Sequence, residues 1–468
     1  MKGLMSTRAD SNFRSIVQEE ESLAPALQPP LFKLLMDFRR KPHSVTATIT
    51  AKESVKWLQF RRGKEWKWNG RALTPSDYYS SPGRQFGIFS TKRVSKKNYV
   101  EFDKYNIETN KDHQFWGEKV AIFYEFNFGK YPYYKDYNKS IPINGGLPQK
   151  SDLAAHLQVV ETNITDKIKD KNSAGLGIID LEEWRPLFSE NGYNKKRVYQ
   201  NESIKLVTDP SLSEEGKRKK AEKMFNNASM HFFVQTIEKA RKLRPHVKWG
   251  FYGFPYCNYN AGVKEDDYEC SQTYKDWNNQ MMFIFNKSDA LYPSIYLGPN
   301  DRKNHSRSDR YIQAILTEAR RISHMFSPPL PIYAYIKIEY DPLNNHNDFY
   351  SDEDLCTTIK KPADMGIDGI IFWSSSKNIT QRCALIKGKM DTSVGPHTSD
   401  TITGHKSCRS NLCSGNGRCI SKQNTTCISS QVYTVNINDY KCECDYGYTG
   451  DNCADTTTTT TTTVDPLQ

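Results

Sequence analysis

The sequence predicts an α/β protein in which a closed parallel (β/α) barrel precedes a small disulfide-rich C-terminal module. Apolar segments of strand length alternate with helical segments over about 280 residues, the pattern of a parallel sheet covered by helices. No Gly-rich phosphate loop (GxGxxG or GxxxxGK[ST]) follows any of these strands, so a closed barrel fits better than an open nucleotide-binding sheet. Seven of the 11 cysteines, Cys427 among them, lie in residues 408–453, a density typical of a disulfide framework.

Composition indicates an anionic partner. The chain has 468 residues, enough for a sizeable core, and a formal net charge of +11. Nucleic acid, an anionic membrane surface and an acidic polysaccharide all fit this charge. Acidic and basic residues are well mixed and no Lys/Arg-rich arm stands out, so we expect no nucleic-acid partner. No apolar run approaches the ~20 residues that span a bilayer, so we expect no transmembrane segment.

Cysteine usage and glycosylation sequons indicate an extracellular or lysosomal protein. Eight Asn-x-Ser/Thr sequons are candidate N-glycosylation sites, at Asn138, Asn163, Asn201, Asn227, Asn286, Asn304, Asn378 and Asn424. Against this, Met1–Arg8 contains no apolar signal-peptide core. Either the start is not the native one or export is unconventional, and we expect a wrong or alternative start.

The elements follow one another with little ambiguity after an irregular N-terminal segment. Residues 1–95, with one possible helix at Leu31–Phe38, are expected to be disordered or to reflect a divergent exon. Strands are predicted at Lys119–Tyr124, Gly175–Asp180, Val247–Phe254, Ala290–Tyr296, Pro331–Ile338 and Gly369–Trp373. Helices are predicted from Ser151, at about 213–243, at Arg310–Met325 and at Asp352–Met365.

The sequence Asp180-Leu181-Glu182 ends the most apolar of these strands. In a strand both carboxylates would project to one side, roughly 6–7 Å apart. Such a pair tends to keep one acid protonated near neutral pH, as glycosidic bond cleavage requires. Alternatively, Asp180 could be the N-cap of a helix whose first turn holds Glu182 and Glu183. Spacing alone leaves both interpretations open.

Aromatic side chains stand at the ends of the other strands. Tyr252, Tyr296 and Trp373 occupy such positions, as does Asp341. Active sites of (β/α) barrels lie at the carboxyl ends of the strands. Each aromatic residue taken singly is more typical of packing, but a ring of Tyr and Trp around a carboxylate pair is typical of a sugar-binding groove.

The C-terminal cysteines resemble those of an EGF-like module over residues 404–454, with spacing Cys-x4-Cys-x5-Cys-x22-Cys-x-Cys-x8-Cys. The resemblance implies the pairs Cys408–Cys419, Cys413–Cys442 and Cys444–Cys453. We expect this module to be a small disulfide-bonded fold with no activity of its own. Residues 455–468 form a Thr-rich, low-complexity tail.

Ordered motifs over about residues 95–455 resemble the animal hyaluronidases of venoms, sperm and lysosomes. They are Ile122-Phe-Tyr, Gly129-x-Tyr-Pro-Tyr-Tyr134, Asn144-Gly-Gly-Leu-Pro-Gln149, Ile179-Asp-x-Glu-x-Trp-Arg-Pro186, Trp249-Gly-Phe-Tyr-Gly-Phe-Pro-x-Cys257, Leu291-Tyr-Pro-Ser-Ile-Tyr296 and Gly366-x-Asp-Gly-Ile-Ile-x-Trp-x-Ser-Ser375. The resemblance implies a distorted TIM-like barrel over residues 96–400, acting as a monomer without cofactor or metal. It also implies the disulfide Cys257–Cys270.

The same resemblance implies retaining endo-hydrolysis of the β-1,4 bond between N-acetylglucosamine and glucuronate in hyaluronan, and also in chondroitin. The nucleophile would be the substrate's own acetamide. Glu182 would be the proton donor and then the base, and Asp180 would orient the acetamide. The residues implied in substrate binding or in support of the site are Tyr133, Arg185, Tyr252, Tyr296, Tyr335, Asp341 and Trp373.

Some positions depart from the family pattern. Leu181 stands where Phe or Trp is usual, and Ile315 stands where an Arg is usual. The first barrel strand is not recognisable around residues 84–98, and the remaining cysteines, Cys356, Cys383 and Cys427, have no assigned partners. Two alternatives therefore stay open: a catalytically impaired glycosaminoglycan-binding protein on the same fold, and a structural protein whose EGF-like module recruits a partner.

Overall fold

The computed structural model describes the backbone of residues 85–87 and then residues 99–342, 344–375, 378–423, 427, 433 and 435–457. The expected helix Leu31–Phe38, the rest of the segment 1–95 up to residue 84, the sequon Asn424 and the tail from residue 458 lie outside the described residues.

The strands, in chain order, are β1 (Gln85–Gly87), β2 (Ile107–Glu108), β3 (Val120–Tyr124), β4 (Tyr133–Tyr134), β5 (Pro142–Ile143), β6 (Leu176–Asp180), β7 (Lys248–Phe251), β8 (Tyr333–Ile336), β9 (Gly369–Phe372), β10 (Gly417–Ser421), β11 (Tyr440–Cys444), β12 (Tyr448–Thr449) and β13 (Asp455–Thr456). The helices are α1 (Leu153–Lys167), α2 (Arg197–Lys205), α3 (Glu214–Leu243), α4 (Gln272–Gln280), α5 (Met282–Phe285), α6 (His305–Ser323), α7 (Asp352–Leu355), α8 (Lys361–Asp364), α9 (Ile379–Lys389) and α10 (Gly395–Leu412). Single π-helical turns, Cys356–Lys360 and Met390–Val394, make α7–α8 and α9–α10 continuous.

Parallel strands form a distorted barrel, as the sequence predicts. Their order is β2-β1-β9-β8 in one sheet and β3-β6-β7 in the other. The segment 291–295 joins the sheets through isolated bridges from Tyr292 to the end of β7 and from Leu291 and Ser294 to β8. The prediction of a continuous strand at Ala290–Tyr296 is wrong, because Pro293 has no N–H to donate to the ladder.

The barrel also contains a strand that sequence reasoning missed. β1 pairs in parallel with both β2 and β9, inside the segment around residues 84–98 where no strand was recognisable. Within the described residues no strand pairing connects β2 to β3. Asn110 spans this gap instead: its amide donates to Val120 O at 2.8 Å and accepts from Val120 N at 2.9 Å. The Asn110 side chain thus makes the two hydrogen bonds to the start of β3 that a neighbouring strand would otherwise make.

The central strand β6 is buried along its whole length. Its near-continuous apolar sequence is typical of a parallel strand covered on both faces. Gly177 allows the neighbouring strand to approach closely, because a Cβ there would lie 2.6 Å from the Trp249 ring. Close packing around β6 fixes the position at which its last residue, Asp180, enters the barrel mouth.

The long helices begin at residues with side-chain caps. Ser213 accepts a hydrogen bond from Gly216 N at the start of α3, and Asn304 accepts one from Arg307 N at the start of α6. Glu214 and Glu215 in the first turn of α3 favour the helix dipole. The prediction of a helix over about 213–243 agrees with α3, whereas α6 starts five residues earlier than expected.

The cysteine-rich segment contains the expected bonds Cys408–Cys419, Cys413–Cys442 and Cys444–Cys453, and the barrel contains Cys257–Cys270. A fifth disulfide joins Cys356 to Cys427, two cysteines for which the sequence had shown no partner. Cys383 is buried, and its Sγ donates to Thr380 O at 3.4 Å. The helix α10 runs through residue 404, the expected start of the C-terminal module. None of the described helices is both long and apolar enough to cross a membrane.

Candidate active site

The carboxyl ends of β3, β6 and β7 place three side chains in one row. Tyr124 pairs with Asp180, and the pairing of Ile179 with Phe251 sets Asp180 beside Tyr252. Side chains that follow this register meet at the mouth of the barrel. Asp180 is 9% exposed, so its carboxylate is nearly enclosed there.

In addition to burial, the negative charges of Asp180 and Glu182 both raise the pKa of the Tyr252 hydroxyl. Burial, followed by the charges of Glu182 and Asp180, raises the pKa of Tyr252 well above its usual range. Tyr252 therefore stays protonated, and its hydroxyl donates to Ser294 Oγ at 3.2 Å. The structure thus brings the two predicted carboxylates to one tyrosine.

The alternative of a helix capped by Asp180 is wrong. Within the described chain, no helix begins there: β6 ends at Asp180 and an irregular loop runs to the 3-10 turn Phe188–Asn191. Side chains bind the backbone of this loop instead of a helix ladder. Those with assigned contacts to its N–H or C=O groups are Glu125, Tyr131, Glu190, Asn191, Lys196, Gln200 and Asn226.

Aromatic rings come together at the same end of the barrel as the carboxylates. Tyr335 meets Tyr252 edge to face at 4.8 Å between ring centroids, and Tyr296 stacks on Trp373 at 6.0 Å. The Trp373 indole donates to Tyr124 Oη at 2.8 Å, which ties β9 to β3. This arrangement brings the aromatic strand ends into contact and gives flat apolar faces bordered by hydroxyls; their role in binding sugar stays a prediction.

The hydroxyl of Tyr335 is buried and makes no hydrogen bond to any described residue. Burial, and after it the neighbouring Tyr124 and Asp180, raises the pKa of Tyr335 well above its usual range. A buried polar atom without a partner costs about 1–3 kcal/mol. A substrate group could satisfy this hydroxyl, so Tyr335 is a stronger binding candidate than the sequence suggested.

Lys337 was missed by sequence reasoning. Tyr335 on β8 pairs with Ile371 on β9 and forms a bridge with Ser294. Lys337, Tyr296 and Trp373 each lie two residues after one of these three residues, so their side chains come close together. Its ammonium lies 4.6 Å from the Tyr296 ring and 5.1 Å from the Trp373 ring. The alternation of strand residues could have identified it, since Lys337 shares a face with Tyr335.

For three expected site residues, Arg185, Tyr133 and Asp341, the contacts described are with residues other than Asp180, Glu182 and Tyr252. The Arg185 guanidinium stacks on Tyr256 at 3.8 Å and donates to Tyr259 Oη at 3.1 Å. Tyr133 packs against Phe126 at 4.9 Å. Asp341, just beyond β8, accepts a hydrogen bond from Asn344 N at 3.2 Å. Their predicted roles in substrate binding stay predictions.

A buried ion pair supports the chain segment after Trp373. Glu339 and Arg382 are both 0% exposed and bind each other through two guanidinium nitrogens. Arg382 also donates to Ser374 Oγ and Ser375 O, each at 2.7 Å. The pair therefore fixes the direction in which the chain leaves β9.

The chain is similar to a known family over most of its length. A family model described as hyaluronidase matches residues 90–452. A chondroitin hydrolase of Caenorhabditis elegans is 35% identical over 379 residues, covering 80% of this chain and 81% of that protein. A hyaluronidase of Loxosceles intermedia is 30% identical over 378 residues, covering 78% of this chain and 92% of that protein.

Solved structures agree with these sequence matches. The crystal structure of bee venom hyaluronidase superposes with a TM-score of 0.61 at 28% identity, covering 68% of this chain and 99% of that one. Bee venom hyaluronidase in complex with a hyaluronic acid tetramer gives a TM-score of 0.61 at 27% identity, covering 67% of this chain and 98% of that one.

Proposed function

The chain belongs to the hyaluronidase family, and from this premise we propose that it hydrolyses internal β-1,4 bonds between N-acetylhexosamine and glucuronate in hyaluronan and in chondroitin. The observation that carries the proposal is the convergence of Asp180, Glu182 and Tyr252 at a barrel mouth lined by aromatic rings. The net charge of +11 suits a polyanionic substrate.

The mechanism we propose uses one acid and the substrate's acetamide. Glu182 protonates the leaving glycosidic oxygen while the acetamide oxygen attacks the anomeric carbon, giving an oxazolinium ion with inversion. Asp180 accepts a hydrogen bond from the acetamide N–H and offsets the developing positive charge. Glu182 then removes a proton from water, which opens the ring with a second inversion, so the net result is retention.

The different environments of the two carboxylates support different roles. Asp180 ends a rigid strand and is nearly enclosed, as suits a group that orients the substrate. Glu182 lies on the loop and is more exposed, as suits a group that exchanges protons with substrate and water. Tyr252, Tyr296 and Tyr335 would hydrogen-bond the sugar, and Trp373 would stack beneath it.

A glycosaminoglycan-binding protein without activity is the alternative, and Ile315 and the irregular N-terminal segment are the two observations in its favour. In the structure Ile315 is 4% exposed and belongs to the apolar core. The missing arginine still counts in favour of the alternative, so the activity assay decides between the two functions.

The test compares the wild type with Glu182→Gln on hyaluronan and on unsulfated chondroitin across pH 4–7, following chain length by size-exclusion chromatography. We expect the wild type to shorten both polymers and the variant to be slower by about 10²- to 10⁴-fold. Exposed Glu265→Gln is the matched control. Equal, negligible cleavage by wild type and variant, with hyaluronan still bound, would support the binding-protein alternative instead.

We also propose that the protein acts outside the cytosol, in the extracellular space or the lysosome. The five disulfides support this, because such bonds persist in oxidising compartments. Exposed sequon residues give further support; they are Asn138, Asn201, Asn227, Asn286, Asn304 and Asn378.

A further inference from the structure

The peptide segment Glu182–Glu183 is held from both sides by two side chains distant in sequence. Glu125 Oε2 accepts hydrogen bonds from the N–H groups of both residues, at 3.0 Å from Glu183 N. Lys196 Nζ donates to both carbonyl oxygens, at 2.9 Å from Glu183 O. Four backbone hydrogen bonds of this segment therefore depend on one carboxylate and one ammonium.

The barrel architecture explains how these side chains arrive there. Glu125 directly follows β3, whose last residue pairs with the last residue of β6, so Glu125 lies level with the first loop residues. It is 6% exposed. Lys196 ends the 3-10 turn Asn194–Lys196 just before α2, and its ammonium lies 5.6 Å from the Tyr137 ring.

Among the described residues, no helix or strand supplies a backbone hydrogen bond to Glu182 or Glu183. Unpaired buried backbone groups are costly. Bonds to charged partners are stronger than neutral ones, so the two side chains restrict the backbone that carries the proposed acid. We propose that Glu125 and Lys196 are positioning residues for Glu182, which hold its backbone in place and balance the charge around its carboxyl group. This inference rests on the proposed function.

The charges of Glu125 and Lys196 should also change the pKa of Glu182, in opposite directions. Glu125 and Lys196 contact the Glu182 backbone, and the Glu182 charge acts on Tyr252 and Tyr256. The other charged groups that act on these two tyrosines are Asp180, Arg185 and Glu190. Removing the negative charge of Glu125 lowers the pKa of Glu182, and removing the positive charge of Lys196 raises it. General-acid activity is lost as pH rises through that pKa, so the alkaline limb of the rate profile reports it.

The experiment measures kcat, KM and the pH profile of hyaluronan cleavage for four variants of the full chain. Glu125→Gln keeps an acceptor for both N–H groups but no charge, whereas Glu125→Leu keeps neither. Lys196→Arg keeps donors and charge, whereas Lys196→Met keeps neither. Exposed Lys205→Met, on the helix that follows Lys196, is the control, and thermal unfolding is recorded for every variant.

We expect Glu125→Leu and Lys196→Met to lower kcat on the order of 10- to 100-fold with little change in KM, because a small displacement of a reacting group has that effect. Lys196→Arg should restore most of kcat. The alkaline limb should move to lower pH in Glu125→Gln and to higher pH in Lys196→Met, which loss of stability alone would not produce.

Unchanged kcat and an unchanged alkaline limb in all four folded variants would overturn the inference while wild-type cleavage upholds the proposed function. Absence of wild-type cleavage would instead refute the proposed function itself. If Glu125→Leu fails to fold, the opposite shifts of Glu125→Gln and Lys196→Met still decide the matter.

Discussion

Replacing Arg382 with Met should destabilise the barrel by about 3–5 kcal/mol, because it leaves a buried carboxylate without its counter-ion. Both members of the Arg382–Glu339 pair are 0% exposed. Three guanidinium bonds to Glu339, at 3.2, 2.7 and 2.6 Å, disappear together. The same change removes the bonds to Ser374 and Ser375, so the segment after Trp373 should loosen and kcat/KM should fall as well.

The double variant Glu339→Leu/Arg382→Met separates the pair's own contribution from the cost of an orphaned charge. Apolar replacement of a buried ion pair is often close to neutral, so most of the lost free energy of unfolding should return. Half-exposed Ser374 can then bind water. Denaturant unfolding measures each step, with Lys217→Met, which breaks a surface pair with Glu214, as the control. A loss in Arg382→Met no larger than in Lys217→Met would refute the reasoning.

Three further predictions concern a disulfide, a buried carboxyl group and a tyrosine of the candidate site. Cys356→Ser opens a disulfide that spans 71 residues, so the free energy of unfolding should fall by about 4 kcal/mol in denaturant titrations; no change would contradict this. Burial raises the pKa of Glu190 to about 7, so the folded state holds a proton that the unfolded state releases, and stability should decline from about pH 4.5 to 7. Glu190→Gln should remove that decline, and parallel stability–pH curves for both proteins would contradict the assignment. Tyr252→Phe should lower kcat/KM by about 10- to 100-fold, because it removes the hydroxyl proposed to hydrogen-bond the sugar, and should cost no more stability than the lost bond to Ser294; unchanged kcat/KM would place Tyr252 outside the site.

Local sequence patterns predicted most of the barrel, because the longer parallel strands are short apolar runs. β6 is the clearest case, since burial on both faces demands an apolar sequence and the barrel mouth admits Asp180 at its end. Where one residue interrupts the ladder, the pattern misleads: Pro293 turns an apparent strand into a few isolated bridges. The three-residue strand β1 has too little sequence for any periodicity to be seen.

Contacts between residues far apart in the chain could not be read from the sequence. Glu125 is 57 residues from Glu182 in the chain, and only the register of β3 with β6 brings it to the loop. Spacing also left Asp180 open between a helix cap and an acid pair, because both interpretations use the same residues. The pairing of Cys356 with Cys427 joins the barrel to the cysteine-rich segment, a relation that no spacing rule contains.

The stereochemistry of the first product tests the proposed mechanism most directly. Hyaluronan oligosaccharides would be cleaved in an NMR tube, and the anomeric proton of the new reducing N-acetylglucosamine followed before mutarotation. We expect the wild type to release the β-anomer first and Glu182→Gln to release product on the order of 10²- to 10⁴-fold more slowly. Initial release of the α-anomer, or undiminished turnover by Glu182→Gln, would contradict a double displacement in which Glu182 is the acid and the acetamide is the nucleophile.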